Sequence, residues 1–232
     1  MRVDVSSCAD GTVTKPYEIL VALDGYKDSA EKAKSIYYEY KLEKLKTAIV
    51  GEVVTLGVYE QNLQTDGKED IEWIVLKREE SRVLLISKYA LDYQPYHHTK
   101  VENITWDVCS LRNWMNGTFM DNAFSDEERA IIATTTIPTE DGGYNVGQAV
   151  QDQVFLLNYK EINEYVDDEN CTATEYAQEL GASGYRCLWM QRAVYPDGGA
   201  DDFIPLFGSS GETSCTVENK AAIRPALWVD VG

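Results

Sequence analysis

The run Trp106-Asp107-Val108-Cys109-Ser110-Leu111-Arg112-Asn113-Trp114-Met115-Asn116 constrains this chain more than any other, and it has a counterpart in Ile223-Arg224-Pro225-Ala226-Leu227-Trp228 near the end. The first run places two Trp, a Leu and a Met around a short helix. The second is an apolar strand with a single Arg and a Pro set into it. Two Trp-rich elements this far apart in sequence must both bury their rings, so the chain between them has to run as loops and short elements. Neither run holds a nucleophile–base pair, a metal cluster or a phosphate loop. The pattern points to a scaffold that displays loops, with Trp106, Trp114 and Trp228 buried and in shared contact.

A chain of 232 residues is long enough for one sizeable core. Its 44% hydrophobic and 11% aromatic content argue against disorder despite a net charge of −18. That acidic balance argues against nucleic acid or an anionic membrane surface as partner, because both bind through positive charge. No apolar run reaches the length of a membrane span, and Met1-Arg2-Val3-Asp4-Val5-Ser6-Ser7 is followed by no signal-peptide h-region. The sequence leaves the compartment open, a cell-surface or secreted setting included. Cys8, Cys109, Cys171, Cys187 and Cys215 are an odd set without C-x-x-C spacing, which speaks against zinc and against a dense disulfide framework. Cys171 and Cys187 could pair in an oxidising compartment, but their spacing does not decide it.

Along the chain, residues 1–16 read as a lead-in. Residues 17–50 read as a helical hairpin: Ile19, Leu20 and Leu23 form one stripe, Asp24-Gly25-Tyr26-Lys27-Asp28-Ser29 a turn, and Ala33, Ile36, Tyr37, Tyr40 and Leu45 a second stripe. From Gly51 the texture changes. Val53–Tyr59, Ile71–Leu76 and Arg82–Ser87 read as three strands of an antiparallel meander. Short helices follow, with Ser110 as the N-cap of Leu111–Asn116, Ser125-Asp126-Glu127-Glu128 as a capping box, and Asn158-Tyr159-Lys160-Glu161 and Thr172-Ala173-Thr174-Glu175 capping two more. After Tyr185 the helical period is lost, and Trp189, Phe203–Phe207 and Ile223–Val231 are strand candidates. Helical hairpin, strands, short helices, then irregular strands is an α+β order, not β-α-β alternation.

These elements carry a resemblance. Ile71–Leu76, Leu84–Asp92 with Pro95-Tyr96, Trp106–Asn116, Phe124–Glu128, Asp152–Leu157, Thr174–Ala177 and Arg224–Trp228 together resemble a bacterial domain family of unknown function, over roughly residues 51–232. The set also looks like a C-type-lectin-like fold, in the branch shared with formylglycine-generating enzymes and the variable proteins of diversity-generating retroelements. The resemblance implies a C-type-lectin-like core of short antiparallel strands with several short helices, preceded by the hairpin, which itself resembles a tetratricopeptide-like fragment. Where family members read W-L-R-S-P-G, this chain has Trp189-Met190-Gln191-Arg192-Ala193-Val194. The resemblance does not carry the oxidase chemistry, since neither Cys187 nor Cys215 sits in a recognisable form of that motif. A distant enzyme of that group, or a structural or sensor domain of a larger surface protein, are the competing classes.

His97 and His98, the only two His, are adjacent on a Tyr-rich loop and point to opposite faces of an extended segment, so a shared metal is not expected. Asp167-Asp168-Glu169 and Asp197, Asp201 and Asp202 supply oxygen ligands of the type Ca²⁺ takes, but without EF-hand spacing, so solvated acidic loops are the leading expectation. Gly142, Gly143 and Gly147 precede no Lys-Ser/Thr helix start, which argues against a phosphate loop. Arg112 and Arg224 sit within apolar elements, where an Arg must find a carbonyl, an acid or a route to water. Trp189 differs from the other Trp in having Arg186, Gln191 and Arg192 beside it. Trp189, Gln191, Arg192, Tyr195, Asp197, Asp202, Phe203 and Phe207 therefore form the expected contact surface, mixing aromatic and Arg anchors with a polar rim. The expectation is a non-catalytic module binding a protein or glycan, with no cofactor.

Overall fold

The computed structural model describes residues 29–64, 67–101, 103–141, 144–145, 147–166, 170–194, 203–208 and 213–232. Two units divide between Thr47 and Ala48. In the first, helix α1 (Ser29–Thr47) is the second half of the expected hairpin; the first half lies outside the described residues. Within α1, Lys41 sits over the Tyr37 ring and Lys44 over the Tyr40 ring, pairs four residues apart on one face. Lys44 and Lys46 in the last turn complement the negative end of the helix dipole. Ala33 and Leu45 of the expected stripe are buried, whereas Ile36 is exposed.

The second unit is a mixed α+β domain. Strands β1 (Val53–Tyr59), β2 (Glu69–Arg78), β3 (Arg82–Ser87) and β4 (Asp92–Pro95) lead to a 3₁₀ turn (Trp106–Val108). Helix α2 (Ser110–Trp114), a π-helical turn (Met115–Phe119), α3 (Met120–Ala123) and α4 (Asp126–Ile131) come next. Then follow β5 (Thr135–Ile137), β6 (Glu140–Asp141), β7 (Tyr144–Asn145), β8 (Val150–Asp152) and β9 (Val154–Phe155). Helices α5 (Tyr159–Tyr165) and α6 (Glu175–Glu179) precede β10 (Trp189–Met190), β11 (Phe203–Phe207), β12 (Thr213–Thr216), β13 (Lys220–Ile223) and β14 (Ala226–Asp230).

Two five-stranded sheets organise these elements. One has the order β1-β2-β3-β14-β9, antiparallel throughout; the other runs β12-β11-β10-β13-β4, with β10 and β13 its parallel pair. The expected meander is β1-β2-β3. On β2, Ile71, Trp73 and Val75 alternate inward, as a strand with one covered face requires. On β3 and β14 every residue from Val83 to Ser87 and from Ala226 to Val229 is buried, which marks strands covered on both faces. The final expected strand is divided: Arg224-Pro225 separates β13 from β14, because a Pro cannot donate to a ladder.

The caps at Ser125 and Asn158 are complete capping boxes with Glu128 and Glu161, and Thr174 Oγ1 accepts from Ala177 N. Ser110 does not cap α2. Cys109 does, its Sγ accepting from Arg112 N at 3.4 Å, while Ser110 Oγ accepts from His98 N and reaches Tyr96 O. Trp106 and Trp228 are buried and Trp114 is partly so. Each meets a different neighbour: Trp106 the Tyr96 ring, Trp114 the Phe119 ring, and Trp228 the Arg82 guanidinium.

Gly57 shows how tightly the domain closes at β1. Its φ is +70°, it sits at a bulge between Thr55 and Val58, and its N–H donates to the buried Glu128 carboxylate at 3.0 Å. An added Cβ would lie 2.6 Å from the Phe124 ring and 2.7 Å from Ala123 O. Gly57→Ala should therefore cost about 2–3 kcal/mol from backbone strain and overlap together, read as a lower urea midpoint with unchanged slope. A midpoint equal to the parent's would show that the bulge relaxes freely.

Candidate functional site

The Trp106–Asn116 motif folds around one buried carboxylate. Asp152, at the end of β8, accepts from Trp106 Nε1 at 2.7 Å through Oδ2 and from Arg112 Nε at 2.7 Å through Oδ1. The Arg112 head continues to Asp107 O and Gln151 O. One turn on, Asn116 donates to Arg112 O and Val154 O and accepts from Gln153 N and Val154 N. Asn116 lies in the π-helical turn, whose extra residue sets the side chain opposite the β8–β9 junction. Burial pushes the Asp152 carboxyl above its usual 3.8, against the downward pull of Trp106 and Arg112. The arrangement gives each oxygen of a buried carboxylate a donor.

A second buried carboxylate, Asp92 at the start of β4, accepts from Tyr59 Oη at 2.6 Å and Tyr93 N at 2.7 Å. Burial raises its pKa too, and burial together with the Asp92 charge holds the Tyr59 phenol protonated. Tyr176 meets the Tyr59 ring edge-on at 5.9 Å. This is a carboxylate tying strand to strand and helix. The two His take no part in it: His97 Nδ1 accepts from Ser110 N, and His98 is exposed. No group of three or more His, Cys, Asp or Glu able to hold a metal occurs among the described residues.

The expected contact surface is placed differently from the sequence expectation. Trp189, Gln191, Arg192 and Phe207 are all buried, so they are not exposed anchors. Trp189 opposes Phe207 across β10–β11, with ring centroids 5.7 Å apart, and Arg224 faces its ring at 5.1 Å. The polar neighbours that set Trp189 apart in sequence turn away or inward: Arg186 is exposed on a turn with φ +55°, and Arg192 points back into the domain. Arg192 Nη1 donates to Glu161 Oε2 at 2.7 Å and Leu156 O at 2.8 Å, while its own carbonyl accepts from Tyr96 Oη. Phe207 meets Tyr159, whose ring reaches solvent, at 5.8 Å. Phe203 opens β11; Tyr195, Asp197 and Asp202 lie outside the described residues, as do Asp167-Asp168-Glu169.

Gln191 differs from these side chains. It is fully buried directly after β10, and neither its Oε1 nor its Nε2 has a hydrogen-bond partner among the described residues. A buried amide left unpaired costs about 1–3 kcal/mol, so a side chain with both polar atoms unpartnered stands out. Sequence reasoning placed Gln191 in the region of interest by its polar neighbours. It gave no signal for Asn116, Asp152 or Asp92, whose partners are long-range.

Arg112→Met removes the cation from a carboxylate that has no exposure of its own. The variant should lose about 3 kcal/mol at about pH 7. Because burial already raises the Asp152 pKa, losing Arg112 raises it further; the folded form then binds a proton the unfolded form does not, and the deficit shrinks as pH falls toward about 4. Urea unfolding of parent and variant across that range measures it. A deficit that stayed constant, or grew on acidification, would refute the buried-pair account.

No curated protein and no solved structure matches the chain. A family model described as a domain of unknown function matches residues 80–231. The match begins just before β3, while β1 and β2 lie outside it yet complete the same sheet. Spanning well over half of the sequence, it shows that the chain belongs to the DUF6273 family of domains.

Proposed function

We propose that this chain is a non-catalytic binding module with a C-type-lectin-like core, contacting a protein or glycan through the segment that joins β10 to β11. The observation that carries the reading is the unpaired, buried amide of Gln191 at the root of that segment. Trp189, Arg192 and Phe207 are its footing, clamped by Arg224, Glu161 and Tyr159 respectively. Tyr195, Asp197, Asp202 and Phe203 are the proposed contacts, with the buried Gln191 amide at the root of the segment. Segments carried on a packed scaffold are where binding usually resides. The buried carboxylates described above are occupied as struts, a use that fits binding better than turnover. In this reading the chain needs no cofactor, and its net charge of −18 turns away nucleic acid and anionic lipid surfaces.

The test uses panels of immobilised glycans and of folded proteins, probed with the parent chain, Gln191→Leu and Tyr195→Ala/Asp197→Ala. Leu removes the amide while filling its volume, so the variant should fold with equal or higher thermal stability. Binding should nevertheless fall by about tenfold or more. Unchanged binding by both folded variants would place the site elsewhere. Hydrolytic or oxidative turnover abolished by His98→Ala in a folded chain would overturn the non-catalytic reading.

A further inference from the structure

Cys171 and Cys187 lie across from one another where two extended segments meet. Cys187 N–H donates to Cys171 O at 2.9 Å, and Ala173 N–H donates to Gly184 O at 2.9 Å. The Cys187 N–H to Cys171 O bond brings the two backbones together at these residues, on the scale of the roughly 4.4–6.8 Å Cα separation that a disulfide spans. Their side chains also come close enough for each thiol to act on the ionisation of the other. Both are almost fully buried. The chain between them carries α6, held to Ala90 by Ala90 N–H to Thr172 O and Thr174 N–H to Ala90 O, each at 3.0 Å.

We propose that Cys171 and Cys187 are a disulfide-forming pair, closing the α6 loop covalently when the domain folds in oxidising surroundings and staying a dithiol in reducing ones. Among the described residues, the chemistry of the other thiols favours this pair. Burial pushes Cys109 up to about 12 and Cys215 up to about 11, which keeps both as unreactive thiols. Cys171 is shifted the other way: the Cys187 S–H and then the Arg224 guanidinium favour its thiolate. With the thiolate on Cys171, Cys187 is held protonated. The Cys171 thiolate attacks one sulfur of a small disulfide such as oxidised glutathione, forming a mixed disulfide and expelling one glutathione thiolate. Cys187 then gives up its proton and attacks Cys171 Sγ, releasing the second glutathione. Two protons and two electrons pass from the pair to the glutathione disulfide, which leaves as two thiols. Because the sulfurs are buried in the folded domain, the exchange takes place late in folding, once Cys171, Cys187 and Arg224 are together and before the α6 loop closes over the sulfurs.

The parent chain is unfolded, reduced, and refolded in a buffer of reduced and oxidised glutathione; free thiols are then alkylated under denaturing conditions and peptides mapped without reduction. The expected product is a peptide pair joined through Cys171 and Cys187, with Cys109 and Cys215 alkylated. The oxidised chain should melt about 5 °C or more above the same chain kept reduced. In Cys171→Ser/Cys187→Ser the melting temperature should not respond to the redox buffer. Recovery of Cys171 and Cys187 as alkylated thiols, a persistent glutathione adduct on either, or an oxidised chain that melts no higher than the reduced one would each overturn the proposal. None of these outcomes bears on ligand binding through Gln191.

Discussion

The second unit of this protein depends on a single buried carboxylate. Asp152 has no side-chain exposure, and removing a carboxylate from water is costly unless charge and hydrogen bonds are returned to it. Arg112 returns the charge and Trp106 a second donor. Satisfying Asp152 therefore forces three things together: the 3₁₀ turn that carries Trp106, the helix that carries Arg112, and the β8–β9 junction. Once they are joined, Asn116 can reach the junction's backbone, and β9 is delivered to the edge of the larger sheet beside β14. The paired spacing of Trp, Arg and Asn in the motif is the spacing of donors around that one acid and the strand that follows it.

The same logic recurs with other cations. Arg192 ties the end of β10 to α5 through Glu161 and to the Leu156 carbonyl, and Arg224 Nε donates to Ser87 O at the end of β3 while facing the Trp189 ring. Each Arg set in an apolar stretch is a cross-link between elements distant in sequence. The guanidinium suits this use, because its planar fork meets a carbonyl and a carboxylate together and its face lies flat on an aromatic ring. Such struts explain how short strands, several of only two residues, hold a defined position.

Signals confined to a few neighbouring residues were legible in the sequence. The alternation in Ile71–Leu76 and the Ser125/Glu128 and Asn158/Glu161 pairs each declare an element without reference to the rest of the chain. What was not legible depends on partners far away. The Cys109 cap looks like a packed hydrophobe until Ser110 is seen engaged by His98 and Tyr96. The π-helical turn follows from Asn116 meeting a strand about forty residues on. Strand β4 has few β-formers and exists because β13 pairs with it. Trp189 and Arg192 read as surface residues because their immediate neighbours are polar, whereas burial is decided by Phe207, Glu161 and Arg224, none of them nearby in sequence.

The break at Arg224-Pro225 has a consequence for how the protein is made. On its two sides, β13 enters one sheet between β10 and β4, and β14 enters the other between β3 and β9. Both are interior strands, so neither sheet can close before residues 220–230 have left the ribosome. During synthesis the earlier strands must wait with their inner edges unpaired, and unpaired edges are where strands of other chains attach. The Pro between the two strands keeps them from running on as one, so a single short stretch of chain completes both sheets at once.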